Sequence, residues 1–265
     1  MNNMDCYDAN EPCVSVIVTT FNRSKLLLET LESILSQTFN GFELIVVDNM
    51  SVDDTEELVT GMQDSRIRYF KNPNNGIIAV NRNYGIGQAK GRYVAFCDDD
   101  DLWFPDKLYQ QVSFLEQNVH VMLCYTHAES FVNQKIIARR MNRRNVRRNH
   151  FLELLRGNYI PNSSVMVRRN VFQVLGLLSE NSLIREDYEM WLRVAKHYII
   201  FGIEASLIRY RIHSNNIAGN RANETLRAIR TVKSVAPMLG ISQSLVWPNI
   251  GFQYLKYIIY RLVGR

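Results

Sequence analysis

Asp98, Asp99, Asp100 and Asp101 follow one another without a gap, directly after the apolar run Tyr93–Phe96 and directly before Leu102 and Trp103. Four adjacent carboxylates repel one another unless opposite charge faces them, and the next few residues supply none. Side chains alternate along an extended backbone, so Asp98 and Asp100 are expected to share one face while Asp99 points away. Two carboxylates on one face of a strand end suit a hard divalent cation. Magnesium in particular is held by one or two carboxylates together with the phosphates of a ligand. The bland alternative is a solvated acidic turn with one aspartate capping the next helix. The Gly-containing calcium loop of an EF-hand is absent.

The elements that would position these carboxylates can be read from the flanking patterns. Val14–Thr20 (VSVIVTT) is β-branched and almost continuously apolar, as in a strand covered on both faces. The following segment carries Leu27, Leu31, Ile34 and Leu35 at helical spacing. Phe42–Val47 reads as a second buried strand, and Ser51 with Asp54 predicts a cap for a helix over 53–62. Ile67–Phe70 is a shorter strand, Ala79–Ala89 can be helical, and Arg92–Phe96 is the next strand. Strand and helix alternate, which predicts a largely parallel sheet with helices on both faces. Ligands of such sheets lie beyond the carboxyl ends of the strands. Three polar groups fall there: Thr19 to Arg23, Asp48 with Asn49, and the aspartate run.

The second half is less regular. A helix is expected over Pro105–Gln117, strands over Val121–Ala128 and Val165–Val167, and a helical pattern within Ile184–Tyr198. Ile199–Arg211 extends again, and the chain turns helical from Asn216. The expected organisation is a loose tail over 1–12, one α/β domain over 13–215 and a helical extension over 216–265. Within the domain, 13–101 forms one half and 102–215 the other.

The composition is that of an ordinary globular protein, 46% hydrophobic and 22% charged over 265 residues. A net charge of +5 favours an anionic partner, though weakly. Cys6, Cys13, Cys97 and Cys124 form no CxxC pair, so neither a zinc site nor a disulfide framework is expected. The polar, acidic opening MNNMDCYDANEP is no signal peptide, and no apolar run is long enough to span a bilayer. The expected location is the reducing cytoplasm.

Four stretches taken in order, VSVIVTTFNR, ELIVVDNMSVDDT, NNGIIAVNRNYGIGQAKGRYVAFCDDDDLW and REDYEMWLR, resemble the pattern of family 2 inverting glycosyltransferases with the GT-A fold. The resemblance covers roughly residues 13–215. Each stretch alone is weak, and order and spacing together carry it. It implies an α/β GT-A fold with a mostly parallel central sheet flanked by helices, followed by the C-terminal helical extension. It also implies that Thr19, Phe21 and Arg23 cradle the base and ribose of a nucleotide sugar, and that Asp48 accepts a hydrogen bond from the base. Arg82 then lies near the diphosphate. Asp98, Asp99 and Asp100 occupy the metal-binding triplet, with Asp100 the most direct ligand, Asp98 beside it, and Asp99 bonded to metal or ribose. Asp101 is structural. In the Glu-Asp pair Glu186–Asp187 the second member, Asp187, is the catalytic base. RYRIHSNNIAG resembles a closing element of the family, which makes Arg211 and His213 candidates to approach the metal, His213 as a ligand.

The implied reaction moves a sugar from a nucleoside-diphosphate sugar, with UDP favoured, to an acceptor hydroxyl, assisted by Mn2+ or Mg2+. The implied setting is bacterial cell-surface polysaccharide, O-antigen or capsule synthesis, with a saccharide or lipid-linked saccharide as acceptor. The rival reading is a basic module without catalysis that binds nucleic acid or membrane. Its best support is RRMNRRNVRR at 139–148, which contacts an acceptor phosphate or lipid, or is a solvated loop. Nucleic acid is not expected as a partner, because few aromatics interleave with these arginines. Residues 245–265 mix aromatics with Lys256, Arg261 and Arg265, a pattern of peripheral contact with the inner face of the cell membrane, of core cover, or of a dimer contact. The glycines of GIGQAKG precede a strand instead of following one, which is the wrong context for a dinucleotide fingerprint.

Overall fold

A computed structural model describes residues 11–132, 135–140, 150–213 and 221–262. Most of the expected tail at 1–12 and nearly all of the arginine run at 139–148 lie outside the described residues. The first half follows the expected alternation: β1 (Val14–Thr20), α1 (Ser24–Leu35), β2 (Phe42–Asp48), α2 (Thr55–Gly61), β3 (Ile67–Lys71), α3 (Ile78–Gln88) and β4 (Tyr93–Asp98). The second half comprises β5 (Leu102–Trp103), α4 (Lys107–Gln117), β6 (Val121–Val132), β7 (Lys135–Arg140), α5 (His150–Leu155), β8 (Met166–Arg168), α6 (Asn170–Leu175), α7 (Glu186–His197), β9 (Ile199–Arg211), α8 (Arg221–Met238) and α9 (Gln243–Leu262).

One sheet runs through the molecule in the order β3-β2-β1-β4-β8-β6-β9-β5, with β7 added to β6. β3, β2, β1 and β4 are parallel neighbours, whereas β8 joins β4 and β6 antiparallel. The register decides what meets at the carboxyl edge. Thr20 lies opposite Asp48, and Thr19 lies opposite Asp98, so the first, second and fourth strands end level. Apolar side chains fill both sheet faces: Ile17, Ile45, Val47 and Phe96 pack on one side, and Val16, Val18, Leu44 and Val46 on the other. This double burial is why those strands read as unbroken apolar runs.

The GIGQAKG glycines serve packing. A Cβ on Gly85 would stand 2.7 Å from Ile17 Cγ2, and one on Gly91 would stand 2.6 Å from the Ser15 backbone nitrogen. Close seating of α3 and of the turn before β4 against β1 therefore requires glycine at both places.

Two local expectations need correction. Ser51 does not cap α2. Its hydroxyl donates to Asp48 Oδ1 at 2.5 Å and accepts from the Asn22 N–H, while the Asp53 carboxylate receives the Thr55 N–H at 3.2 Å. Bonding the preceding strand end satisfies that hydroxyl better than a cap across an exposed loop. Cys13 is disulfide-bonded, which the cysteine pattern did not foreshadow, whereas Cys97 and Cys124 are buried free thiols.

Beneath the aspartate loop, Lys107 is fully buried and donates to Gln111 Oε1 at 2.7 Å. Burial lowers its pKa from 10.5 to about 7. Its ammonium lies 3.8 Å from the Trp103 ring centroid, a cation–π contact that offsets part of the desolvation. A lysine with a depressed folded pKa makes the unfolded chain bind more protons between those two values, so stability rises with pH there. The wild type is expected to gain about 2 kcal/mol between pH 7 and pH 9 from this group. Lys107→Met should be more stable at pH 7 and lose that slope, as measured by denaturant unfolding at both pH values. An unchanged slope would show that Lys107 is charged in the folded protein.

Candidate active site

The aspartate run does not continue the strand. β4 stops at Asp98, and the Asp101 N–H donates to the Asp98 carbonyl at 3.2 Å, closing a turn. Strict alternation therefore fails, and the expected pairing of Asp98 with Asp100 against Asp99 is replaced by a fan. Asp98 Oδ1 accepts from Arg82 at 2.7 Å and from Asn162 Nδ2 at 2.9 Å. Arg23 Nη1 bridges Asp99 Oδ1 at 3.0 Å and Asp100 Oδ2 at 3.2 Å. Asp99 Oδ2 also accepts from the Thr20 hydroxyl, and Asp100 Oδ2 lies 2.9 Å from His213 Nε2. Asp101 turns inward to Ser163 Oγ and the Arg211 N–H, a structural anchor as the sequence suggested.

Asp98, Asp99 and Asp101 resist ionisation. Burial pushes Asp99 up to about 6, against the pull of Arg23, and raises Asp98 despite the attraction of Arg82. Asp101 is raised well above its usual range by burial and by the charges of Asp98 and Asp100.

Asp98, Asp99 and Asp100 line a cavity of about 270 Å³ that also meets Thr19, Arg23, Arg82, Glu186 and Asp187. Arg82 is the link. Its guanidinium is buried and bonds Asp98 with one nitrogen and Glu186 with another, so α3 ties the end of β4 to the start of α7. Burial opposes its charge, but Asp98 and Glu186 raise its pKa overall. Glu186 is raised by burial, with Arg82 pulling the other way. Asp187 follows, held by its own helix: Oδ1 accepts the Tyr188 N–H at 2.7 Å, and Oδ2 accepts from Asn158 at 3.2 Å with Arg185 at 3.7 Å.

A second cavity of about 240 Å³ shares Thr19, Arg23, Gly76, Ile78 and Asp99 with the first and adds Thr20, Phe21, Asn49 and Asn74. Phe21 lines it and is 51% exposed. Asp48 does not line either cavity. It is fully buried, with Oδ1 occupied by Ser51 and Oδ2 accepting from the Tyr69 hydroxyl at 2.6 Å. Arg211 also departs from expectation: its Nε donates to the Asp100 carbonyl and its Nη2 reaches Glu29.

Sequence reasoning missed Asn158, Asn162, Ser163, Arg185, Glu224 and Arg227. Asn162 and Ser163 sit in a 3-10 turn at Asn162–Ser164, for which the polar cluster after Pro161 was the available signal. Glu224 and Arg227 arrive from α8 and complete the far wall of the larger cavity, with no motif to announce them.

The larger cavity is lined by six carboxylates (Asp98, Asp99, Asp100, Glu186, Asp187, Glu224) and four guanidiniums (Arg23, Arg82, Arg185, Arg227). A phosphate-bearing ligand would add negative charge to a wall already in deficit, which a divalent cation would repair. Asp98 Oδ2 and Asp100 Oδ1 accept no hydrogen bond among the described residues and supply hard oxygen donors, so the residues fit such an ion. No group of three His, Cys, Asp or Glu side chains is preassembled to hold one among the described residues. Asp98, Asp100 and His213 thus form no ready three-ligand cage among the described residues.

The glycosyl transferase family 2 profile matches residues 15–176. An Escherichia coli protein named UDP-Glc:alpha-D-GlcNAc-diphosphoundecaprenol beta-1,3-glucosyltransferase WfaP is 29% identical over 227 residues, 84% of this chain and 86% of that protein. An uncharacterized glycosyltransferase of Rickettsia bellii is 30% identical over 88% of this chain, which spans only 34% of that protein's length. Among solved structures, Staphylococcus aureus TarS 1–349 superposes with a TM-score of 0.71 at 17% identity, over 92% of this chain and 72% of that one. Pyrobaculum calidifontis mannosyltransferase PcManGT, solved with GDP-Man and Mn2+, gives 0.67 at 18% identity, over 94% and 76%. At such identities the likeness speaks to the fold alone, which is the GT-A type. With a matching profile over more than half its length, the chain belongs to glycosyl transferase family 2.

Proposed function

We propose that the protein transfers a sugar, with inversion, from a nucleoside-diphosphate sugar to the hydroxyl of a lipid-linked saccharide in bacterial cell-surface polysaccharide synthesis. UDP-sugars are the favoured donors. The observation that carries this reading is the Arg82 bridge, which sets the aspartate fan and Asp187 on one cavity. The name of the Escherichia coli relative supports both a UDP-linked donor and a diphosphate-lipid acceptor.

The division of labour follows from position. Phe21, Thr19 and the second cavity receive the base and ribose, and Asp48 contributes either through a yielded Tyr69 or Ser51 bond or only by fixing the loop around Asn49. Arg23 and Asp99 set the inner wall on which the ribose and diphosphate lie. Asp98 and Asp100, with His213 beside them, would hold Mg2+ or Mn2+, whose charge would stabilise the departing diphosphate. Asp187 takes the proton from the acceptor hydroxyl as its oxygen bonds to the sugar C1 and the bond from C1 to the diphosphate oxygen breaks. Attack opposite the leaving group inverts the anomeric centre. The halves 13–101 and 102–215 then hold donor and acceptor respectively, while the extension from 216 closes the acceptor side through α8. A lipid-linked acceptor places the reaction at the cytoplasmic face of the cell membrane, with the protein bound peripherally.

A donor-hydrolysis screen over UDP-, dTDP- and GDP-sugars, each with Mg2+, Mn2+ or EDTA, tests the assignment. A UDP-sugar is expected to be cleaved fastest, and only with a divalent cation. Salt-sensitive polynucleotide binding with no cleavage of any donor would instead support the basic-module reading.

A further inference from the structure

α9 has two apolar faces. Val246, Ile250 and Gln253 point inward and are buried. On the opposite side Trp247, Phe252, Leu255, Ile258, Ile259 and Leu262 are 47% to 81% exposed. At about 100° per residue these six fall within a continuous arc of about 140°, with no charged residue inside it. Soluble helices seldom present a contiguous apolar face of that width to water.

The borders of the arc are basic. Lys256 lies about 40° beyond Phe252 on one side, and Arg261 about 40° beyond Trp247 on the other. Lys256 Nζ rests 4.6 Å from the Phe252 ring centroid, so its stem lies along the apolar face while its ammonium remains at the rim. No aspartate or glutamate occurs after Glu224, whereas Arg227, Arg230, Lys233, Lys256, Arg261 and Arg265 follow it. Those six cations exceed the +5 net charge of the chain, so the remainder carries −1. Of the six, Lys256 and Arg261 stand on α9 beside the apolar arc, and no acidic residue of that helix opposes them.

From this juxtaposition we propose that the outer face of α9 docks in the interface of an anionic phospholipid bilayer. The helix would lie in the surface plane, its apolar arc toward the acyl chains and Lys256 and Arg261 at headgroup level. No described helix is long and apolar enough to cross a membrane, so the contact is peripheral. A second copy of the chain fits less well, because its own Lys256 and Arg261 would border the same arc and no acidic residue of α9 would face them. The proposal adds a surface and a lipid class to the membrane location given above. It stands on helix geometry alone, and vesicle binding measured without donor or acceptor can fail while transfer survives.

The test is flotation of the 265-residue chain with vesicles of phosphatidylglycerol and phosphatidylcholine, and with vesicles of phosphatidylcholine alone. The wild type should float with the anionic vesicles, less so at high salt, and weakly with the neutral ones. The combined variant Phe252→Ser, Leu255→Ser, Ile259→Ser changes only exposed positions and should partition at least about tenfold less. Lys256→Glu with Arg261→Glu, which leaves the apolar arc intact, should lose about tenfold on anionic vesicles only. A wild type that stays in solution with anionic vesicles overturns the proposal, as does a serine variant that floats as well as the wild type. A wild-type dimer that the serine variant dissociates, with no flotation of either, would assign the face to self-association and overturn it equally.

Discussion

Asp187→Asn is expected to reduce sugar transfer by about 10³-fold or more while leaving UDP affinity within about twofold of wild type. The amide keeps the shape of the carboxylate and, with its oxygen in the Oδ1 position, the bond from the Tyr188 N–H; its NH2 replaces the oxygen that accepts from Asn158, and it cannot accept the hydroxyl proton. Steady-state transfer with a lipid-diphosphate saccharide acceptor, together with calorimetric UDP titration, reads the two quantities separately. Retained transfer would remove Asp187 from the chemistry. Equal loss of UDP binding would show that the substitution damages the nucleotide side instead.

Arg82→Leu should have the second largest effect, on stability and activity together. The guanidinium is buried between Asp98 and Glu186, and its removal leaves two desolvated carboxylates facing each other across the cavity. Breaking one side of a buried ion pair costs about 3–5 kcal/mol. Either Asp98 or Glu186 would take up a proton to relieve the repulsion. Urea unfolding should therefore show a loss that shrinks as pH falls toward 5, because protonation removes the uncompensated charge. Arg82→Lys should restore part of the stability but little transfer, since a single ammonium cannot reproduce the two-pronged bridge. A leucine variant as stable as wild type at pH 7 would mean that the bridge does not hold the two carboxylates.

The parallel half of the fold was legible because β1, β2 and β4 are buried on both faces and so spell nearly uninterrupted apolar runs, as in Val14–Thr20 and Phe42–Val47. The short β5 was not legible, because two residues carry no period. It exists because Leu102 and Trp103 pair with Arg209 and Ile208 of a distant strand. The aspartate run announced a charged site, yet the alternation rule assigned its faces wrongly, since a strand-end turn begins at Asp98 and Arg23 then gathers Asp99 and Asp100 together.

Arg82 illustrates a different limit. The sequence marked it as a cation near phosphate, but the helix carrying it has a weak amphipathic pattern, and only the tertiary structure shows both guanidinium edges already held by carboxylates. Arg185 and Arg227 escaped notice for a related reason. An arginine at a helix start and another in a later helix look like solvated residues until packing of α8 against α7 brings them to one cavity wall. Asp48 shows the converse: its type and place suggested a ligand contact, whereas its two oxygens are spent on Ser51 and Tyr69.

The central claim is that the aspartate fan grips a divalent cation shared with a nucleotide diphosphate, and UDP titration of the wild type and Asp100→Asn tests it most directly. With Mn2+ or Mg2+ present the wild type should bind UDP, EDTA should abolish most of that binding, and Asp100→Asn should weaken it by at least about tenfold. UDP binding of equal strength in EDTA, or unchanged in Asp100→Asn, would contradict the account.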